Sequence, residues 1–225
     1  MKKYIFLLVC AFSLQLKAQT TVQDPQKELG VWYMYNGSHQ LSDDFSIKSM
    51  AHFRFYEIGS DMRQFIGRAG LNYKINNTFS ATLGYAYLST DRTFSIDGGY
   101  FGDHRIYEDF NIKHKLAKLS FAHRIRAEQR FFESQTGHLI RYQLGLGYPL
   151  SEKWSSYVYD EVFFDFTDTI YNQNWFGLGF KYKLSKAVKL QLGYMNISIN
   201  GGPTFDRIQL GVAISTDHRK KNNQK

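Results

Sequence analysis

Apolar and polar residues alternate with a period of two along almost the whole chain, a strand signal rather than a helix signal. One face of the segment ending at Ile75 reads Phe65, Gly67, Ala69, Leu71, Tyr73. Beyond a short polar turn the same face continues as Phe79, Ala81, Leu83, Tyr85, Tyr87. Around Leu184 the apolar face is Phe176, Leu178, Phe180, Tyr182, then Val188, Leu190, Leu192, Tyr194. The opposite face carries Gln64, Arg68, Asn72, Lys74 in the first hairpin and Lys181, Lys183, Lys189, Gln191 in the second.

The turns share one pattern: an aliphatic residue, two or three polar or small ones, then usually a bulky apolar one. It occurs at Leu41-Ser42-Asp43-Asp44-Phe45, Ile75-Asn76-Asn77-Thr78-Phe79, Leu150-Ser151-Glu152-Lys153-Trp154 and Leu184-Ser185-Lys186-Ala187-Val188. Leu116-Ala117-Lys118-Leu119 is a weaker copy. A ring stands two residues before each aliphatic, at His39, Tyr73, His114, Tyr148 and Tyr182. The turns start at 41, 75, 116, 150 and 184, so the spacings are 34, 41, 34 and 34. Each interval holds one strand out, a loop and one strand back. A second repeat, Leu83-Gly84-Tyr85, Leu146-Gly147-Tyr148, Leu178-Gly179-Phe180, Leu192-Gly193-Tyr194 and Leu210-Gly211-Val212, puts the apolar residues outward and Gly inward, where Gly makes room in a narrow interior.

The pattern predicts strands at 29–40, 45–57, 63–75, 79–90, 105–116, 119–132, 138–150, 154–166, 171–184, 187–199 and 205–215, with 91–104 the longest loop. Strands of this length suit a tilted bilayer crossing and exceed the soluble average of about five or six residues. Outward rings near turns are what an interfacial girdle requires. The expected fold is all-β: a transmembrane antiparallel up-and-down β-barrel. A soluble sandwich or lipocalin-like barrel is the competing architecture and would bury the apolar face inside. Single-chain bacterial barrels have an even number of strands, so the count of eleven is read as 10–12 with parity open.

The chain ends support the membrane reading. Lys2 and Lys3, the apolar run Tyr4 to Leu16 and the small Ala18 before Gln19 describe a secretory signal peptide over 1–18. The run is too short to span a bilayer as a helix, and no later stretch approaches 18 apolar residues. Cys10 follows Val9, where a lipoprotein signal would have a small residue, so no lipid anchor is expected. The domain plan is signal peptide 1–18, N-terminal segment 19–28, barrel 29–216 and a polar basic tail 217–225. Cys10 is the only cysteine, which excludes disulfides and Cys-ligated metals from the mature chain.

Composition agrees. Aromatic residues make up 17 % of the chain, with 16 Tyr and 19 Phe against three Pro, a strand-forming balance. Cleavage at Ala18 removes Lys2, Lys3 and Lys17 and lowers the formal charge from +8 to +5. For an exported chain the counter-charge to expect is outer-membrane lipid or lipopolysaccharide, although a merely solvated basic surface explains the balance more simply; nucleic acid is not an expected partner, and no cofactor or metal is expected.

Several segments resemble an uncharacterised group of Bacteroidota outer-membrane proteins, domain of unknown function 2490. They are Gly30-Val31-Trp32-Tyr33-Met34, His104-Arg105-Ile106-Tyr107-Glu108, His123-Arg124-Ile125-Arg126-Ala127-Glu128-Gln129-Arg130, Tyr159-Asp160-Glu161-Val162-Phe163, Asn172-Gln173-Asn174 and Phe205-Asp206-Arg207-Ile208-Gln209-Leu210-Gly211. The run from His123 to Arg130 is the most specific. Asn172-Gln173-Asn174 departs from the family's Asp-Gln-Asn-Arg, lacking both acid and Arg. The resemblance implies an outer-membrane barrel and carries no established activity.

The candidate chemistry lies on the polar face. Arg124, Arg126, Glu128 and Arg130 share one side of a strand whose other side is Phe121, Ile125, Ala127 and Phe131. A lipid-facing Arg near mid-bilayer costs about 2–4 kcal/mol, so these residues should face the lumen. Arg54, Arg68, Arg141, Glu161 and Arg207 join them by phase. A lumen with several Arg and few acids would be positive and favour small anionic solutes. The competing reading is a salt-bridge ladder that plugs the barrel, since about eight strands leave room only for side chains and open channels are typical of about sixteen. An enzyme is not expected: His123 projects outward and Ser120 inward, and neither a Gly-x-Ser-x-Gly elbow nor His-Glu-x-x-His occurs. Asp160 poses a difficulty, because it points outward if Glu161 points in.

Overall fold

The computed structural model describes residues 29–93, 98–133, 135–167 and 170–219. The predicted signal peptide 1–18, the segment 19–28, Phe94 and Ile96, and tail residues 220–225 lie outside the described residues. Eleven strands follow one another: β1 (Gly30–Gln40), β2 (Phe45–Phe55), β3 (Met62–Lys74), β4 (Phe79–Asp91), β5 (Tyr100–Leu116), β6 (Leu119–Phe131), β7 (Thr136–Pro149), β8 (Trp154–Asp165), β9 (Tyr171–Lys183), β10 (Val188–Ile199) and β11 (Thr204–Asp217). Each pairs with the next, and β1 closes on β11 to complete a barrel.

The parity question resolves at eleven. Each hairpin reverses direction, so an odd count leaves the first and last strands running the same way. Closure must then be parallel, and it is: the register runs from Gly30↔Arg207 to Gln40↔Asp217. β1 is a regular strand, paired with β2 on its other side from Trp32↔Arg54 to Gln40↔Ser46. Parallel pairing is slightly weaker per residue than antiparallel, but closure removes the two exposed edges a barrel sheet would otherwise carry.

One loop is shorter than the sequence pattern suggests. The segment 91–104 is not loop throughout, because β5 begins at Tyr100 and its ladder with β4 reaches Asp91↔Tyr100. Gly98 and Gly99 take the positive φ values, 56° and 72°, that the reversal needs. The alternation continues through the misread stretch, with Phe101 and Asp103 inward and His104 outward.

The repeated turns share one hydrogen-bond scheme. In each of the four strong copies, two successive amides donate to the same carbonyl, as Leu150 and Ser151 do to Trp154 at 2.9 and 3.0 Å. The polar residue after the aliphatic then accepts amides of the turn. Asn76 Oδ1 takes the Thr78 and Phe79 amides at 2.8 and 2.9 Å, and Ser185 Oγ takes Ala187 and Val188 at 3.1 and 3.0 Å. That is why Ser or Asn recurs there. The weak copy lacks such a side chain and reverses with Ala117 at φ 53°. At the same end Arg219 Nη1 bonds Asp43 Oδ1 at 2.8 Å, so the start of the tail is held against the first turn.

The apolar face points outward. Leu83, Leu192 and Leu178 are 60, 57 and 44 % exposed, and large apolar side chains continue around the outside. A band of that extent is far beyond what a soluble monomer shows to water and matches the lipid-facing belt of a membrane barrel. Rings pair at the turn end, Phe45 with Tyr73 at 5.1 Å and Trp154 with Tyr182 at 4.9 Å, and His114 stacks on Phe121 at 4.7 Å. Inside, several of the glycines seat rings instead of leaving space. A methyl group at Gly70 or Gly84 would lie 2.5 Å from Tyr107 Oη. Gly177 lies under Tyr159, and Gly179 and Gly193 lie under Tyr157.

The odd closure makes a direct prediction. Asn36 and Ala213 are partners in the parallel pair, so Asn36→Cys with Ala213→Cys should oxidise to an intramolecular disulfide that shifts gel mobility under non-reducing conditions. A folded double variant that stays reduced would contradict this closure.

Candidate functional site in the barrel lumen

The lumen is built on β5–β8, whose registers set guanidiniums beside one another. Arg126 is opposite Asp109 on β5 and Arg141 on β7, while Arg105 faces Arg130 and Gln143 faces both Arg124 and Glu161. Like charges directly across a ladder repel, so carboxylates must interleave. They do so as a continuous chain. Arg130 Nη2 bonds Asp103 Oδ2 at 3.1 Å, and Arg105 Nε bonds the same oxygen at 2.8 Å. Arg105 Nη1 reaches Glu128 Oε2 at 2.8 Å, and Arg141 Nη1 reaches Glu128 Oε1 at 3.0 Å. Arg141 Nε and Arg124 Nη2 both donate to Glu161 Oε1, at 2.8 and 2.7 Å. Arg126 clamps Asp109 through two bonds of 2.5 and 2.7 Å, the two-point geometry that makes Arg–carboxylate pairs strong.

Asp103, Arg105 and Asp109 are members that the sequence reading missed. They share an inward face with Tyr107, and the alternation with His104, Ile106, Glu108 and Phe110 was the available signal. The lumen therefore holds more acid than expected. Five guanidiniums, on Arg105, Arg124, Arg126, Arg130 and Arg141, share four carboxylates.

Three further guanidiniums have no carboxylate partner among the described residues. Arg54 lies over the Trp32 ring at 3.5 Å and donates to Gln64 Oε1 at 2.8 Å. Arg68 sits 5.0 Å from the Tyr107 ring, with Arg126 4.6 Å from the same ring. Arg63, another residue that sequence reasoning missed, lies near Tyr56 and Phe205. Arg207 is fully buried, and its Nη1 donates to the Asp206 carbonyl at 2.7 Å.

These side chains line cavities that succeed one another along the barrel. An outer cavity of about 430 Å³ is bounded by Tyr56, Thr90, Asp91 and Phe101 near the loops. It shares Arg63, Gln64, Arg105 and Arg130 with a middle cavity of about 390 Å³, which Arg54, Arg68, Arg124 and Arg141 also line. The middle cavity shares Asn36, Met50, Arg68 and Arg124 with an inner cavity of about 440 Å³ near the turns. Lys48, Lys74 and Lys113 line that inner one. Of the residues nominated from sequence, Arg54, Arg68, Arg124, Arg130, Arg141 and Glu161 line the middle cavity. Arg126 lines the inner one, Glu128 is buried within the ladder, and Arg207 is buried beside Phe205.

On the outer face, polar groups come in pairs. Asp160 does point outward, where Asn174 Nδ2 bonds its two oxygens at 3.0 and 3.1 Å. Asn196 Nδ2 bonds Asp206 at 2.8 Å. His123 bonds Tyr142 Oη at 2.9 Å and stacks on His114 at 5.4 Å, on the face away from Ser120. Among the described residues no His, Cys, Asp and Glu cluster could hold a metal.

The family model for a protein of unknown function (DUF2490) matches residues 29–209. The chain belongs to the DUF2490 family. No curated protein matches it. Among solved structures it is similar to the KdgM porin, at 17 % identity over 78 % of this chain and 86 % of that one, with a TM-score of 0.50. An anion-selective porin from Comamonas acidovorans aligns at 12 % identity, TM-score 0.40, over 77 % of this chain and 53 % of that one. LpxR from Salmonella typhimurium aligns at 10 % identity, TM-score 0.44, over 75 and 83 %. At these identities the likeness is one of fold: this DUF2490 chain folds as outer-membrane barrels do.

Glu128 holds Arg105 and Arg141 together and lies 3.6 Å from Arg126. Glu128→Gln leaves those guanidiniums without their shared counter-charge, and breaking a buried pair this way costs about 3–5 kcal/mol. Urea unfolding of the detergent-refolded barrel should show that loss. Unchanged stability would mean the ladder does not support the fold.

Proposed function

We propose that this protein is an outer-membrane barrel whose cationic lumen passes small anionic solutes. The observation that carries the reading is the charge imbalance along the cavities. Five ladder guanidiniums share four carboxylates, and Arg54, Arg63 and Arg68 add positive charge with no acid partner among the described residues. In a channel walled by low-dielectric protein, such an excess concentrates anions and repels cations. Rings of Arg and Lys are a recognised basis for anion selectivity. The inner cavity continues the sign with lysines.

A plugged lumen with a structural or interaction role is the second reading, and the ladder itself favours it. Eleven strands lie between the small barrels that side chains fill and the roughly sixteen-stranded open porins, and the ladder crosses four neighbouring strands. A lipid-acting enzyme has less support, since His123 is committed to a hydrogen bond with Tyr142 and a stack on His114.

Proteoliposomes separate the readings. Small organic anions should enter several-fold faster than cations of equal size, and Arg54→Gln with Arg68→Gln should markedly reduce that preference while neutral solutes enter as before. Vesicles bearing folded barrel but admitting no solute would overturn the channel and leave the plug.

A further inference from the structure

Membrane-barrel interiors are polar, yet the middle cavity of this one has an apolar wall. Trp32, Met34, Met195, Ile197 and Phe205 form a buried cluster inside the barrel, with Trp175 packed against it. Trp32 and Trp175 meet edge to face at 5.3 Å. These residues come from β1 and β9–β11, which closure brings together. The rest of the lining carries Arg105, Arg124, Arg130 and Arg141, the last reaching to 5.4 Å from the Trp175 ring, and among the described lining residues Glu161 is the sole carboxylate.

Arg54 occupies the seam between the two walls. Its guanidinium lies 3.5 Å from the Trp32 ring centre and 5.3 Å from that of Trp175. One edge is held by Gln64, and no carboxylate among the described residues takes the other. Stacking on an indole fixes the plane of a guanidinium without neutralising it. A fixed, uncompensated fork beside an apolar wall is a receptor for an anion with an apolar body. A bare inorganic anion would leave the indoles unused, and a neutral ring would leave the fork unpaired. The volume, about 390 Å³, falls in the range of small-molecule sites, about 300–1,000 Å³.

We infer that the middle cavity is a binding site for a ring-bearing organic anion, its carboxylate or phosphate on Arg54 and its ring against Trp32 and Trp175. This deepens the anionic-solute reading and rests on it for the sign of the solute, but binding does not require flux.

The native tryptophans report on the site. The chain has three Trp, and the third, Trp154, lies at the turn end on the outside, so Trp154→Phe leaves two reporters, both in the cavity. The folded barrel in detergent would be titrated with benzoate, phenyl phosphate, benzyl alcohol and inorganic phosphate. The expected result is saturable quenching by benzoate and phenyl phosphate, with benzyl alcohol and inorganic phosphate much weaker. Arg54→Gln, checked for retained heat-modifiable gel mobility, should weaken benzoate binding by about tenfold or more, the loss of a charge-assisted hydrogen bond. Arg54→Met serves as a second variant if the first does not fold. Equal quenching by benzyl alcohol, absence of saturation, or unchanged binding in the Arg54 variant would overturn the inference. Saturable binding in a barrel that admits no solute would support the site and remove the channel. Anion entry without saturable binding would do the reverse.

Discussion

A guanidinium on this barrel cannot face lipid, and that constraint organises the molecule. It places every second residue of β6 inside and sets Arg126 against Arg141 across the β6–β7 register. Two cations so placed hold together only if a carboxylate reaches between them. Glu128, on β6 itself, reaches both Arg126 and Arg141, while Asp103, Asp109 and Glu161 reach into the ladder from β5 and β8, and each of the four is buried. The wall from β5 to β8 is thus stitched by side chains as well as by its backbone ladder. Because the acids are one fewer than the guanidiniums they serve, the stitching leaves the interior positive.

The opposite wall solves a different problem. Where β8–β11 and β1 come round to close the barrel, the inward residues include glycines, rings and the apolar Met34, Met195 and Ile197. Tyr157 and Tyr159 lie flat over Gly177, Gly179 and Gly193, with Tyr157 Oη accepting from Gln191 at 2.8 Å and Tyr159 Oη from Gln209 at 3.0 Å. Rings held this way narrow the lumen without filling it. The two walls differ in chemistry, and the cavities run between them.

Much of the fold was legible in the alternation, and the reasons are local. The five turns and the inward Arg residues follow from a period of two, which any correct strand reading preserves. Strand ends were less legible where polar residues continue a ladder, as at Tyr100 to His104. Asp103 and Asp109 escaped notice because a lone acid on a strand face signals nothing until its partner strand is in register. The meeting of Trp32 with Trp175 depends on barrel closure, which no local pattern encodes. The outward Asp160, a puzzle in sequence, is accounted for by Asn174 on the next strand, in the segment that departs from the family pattern.

The central claim is that the lumen carries uncompensated positive charge along a continuous path. The reversal potential of the refolded wild-type protein, recorded in a planar bilayer under a potassium chloride gradient, tests it most directly. The account predicts discrete conductance steps whose zero-current potential lies on the chloride side of zero. A cation-selective potential, or a folded barrel with no conductance, would contradict it.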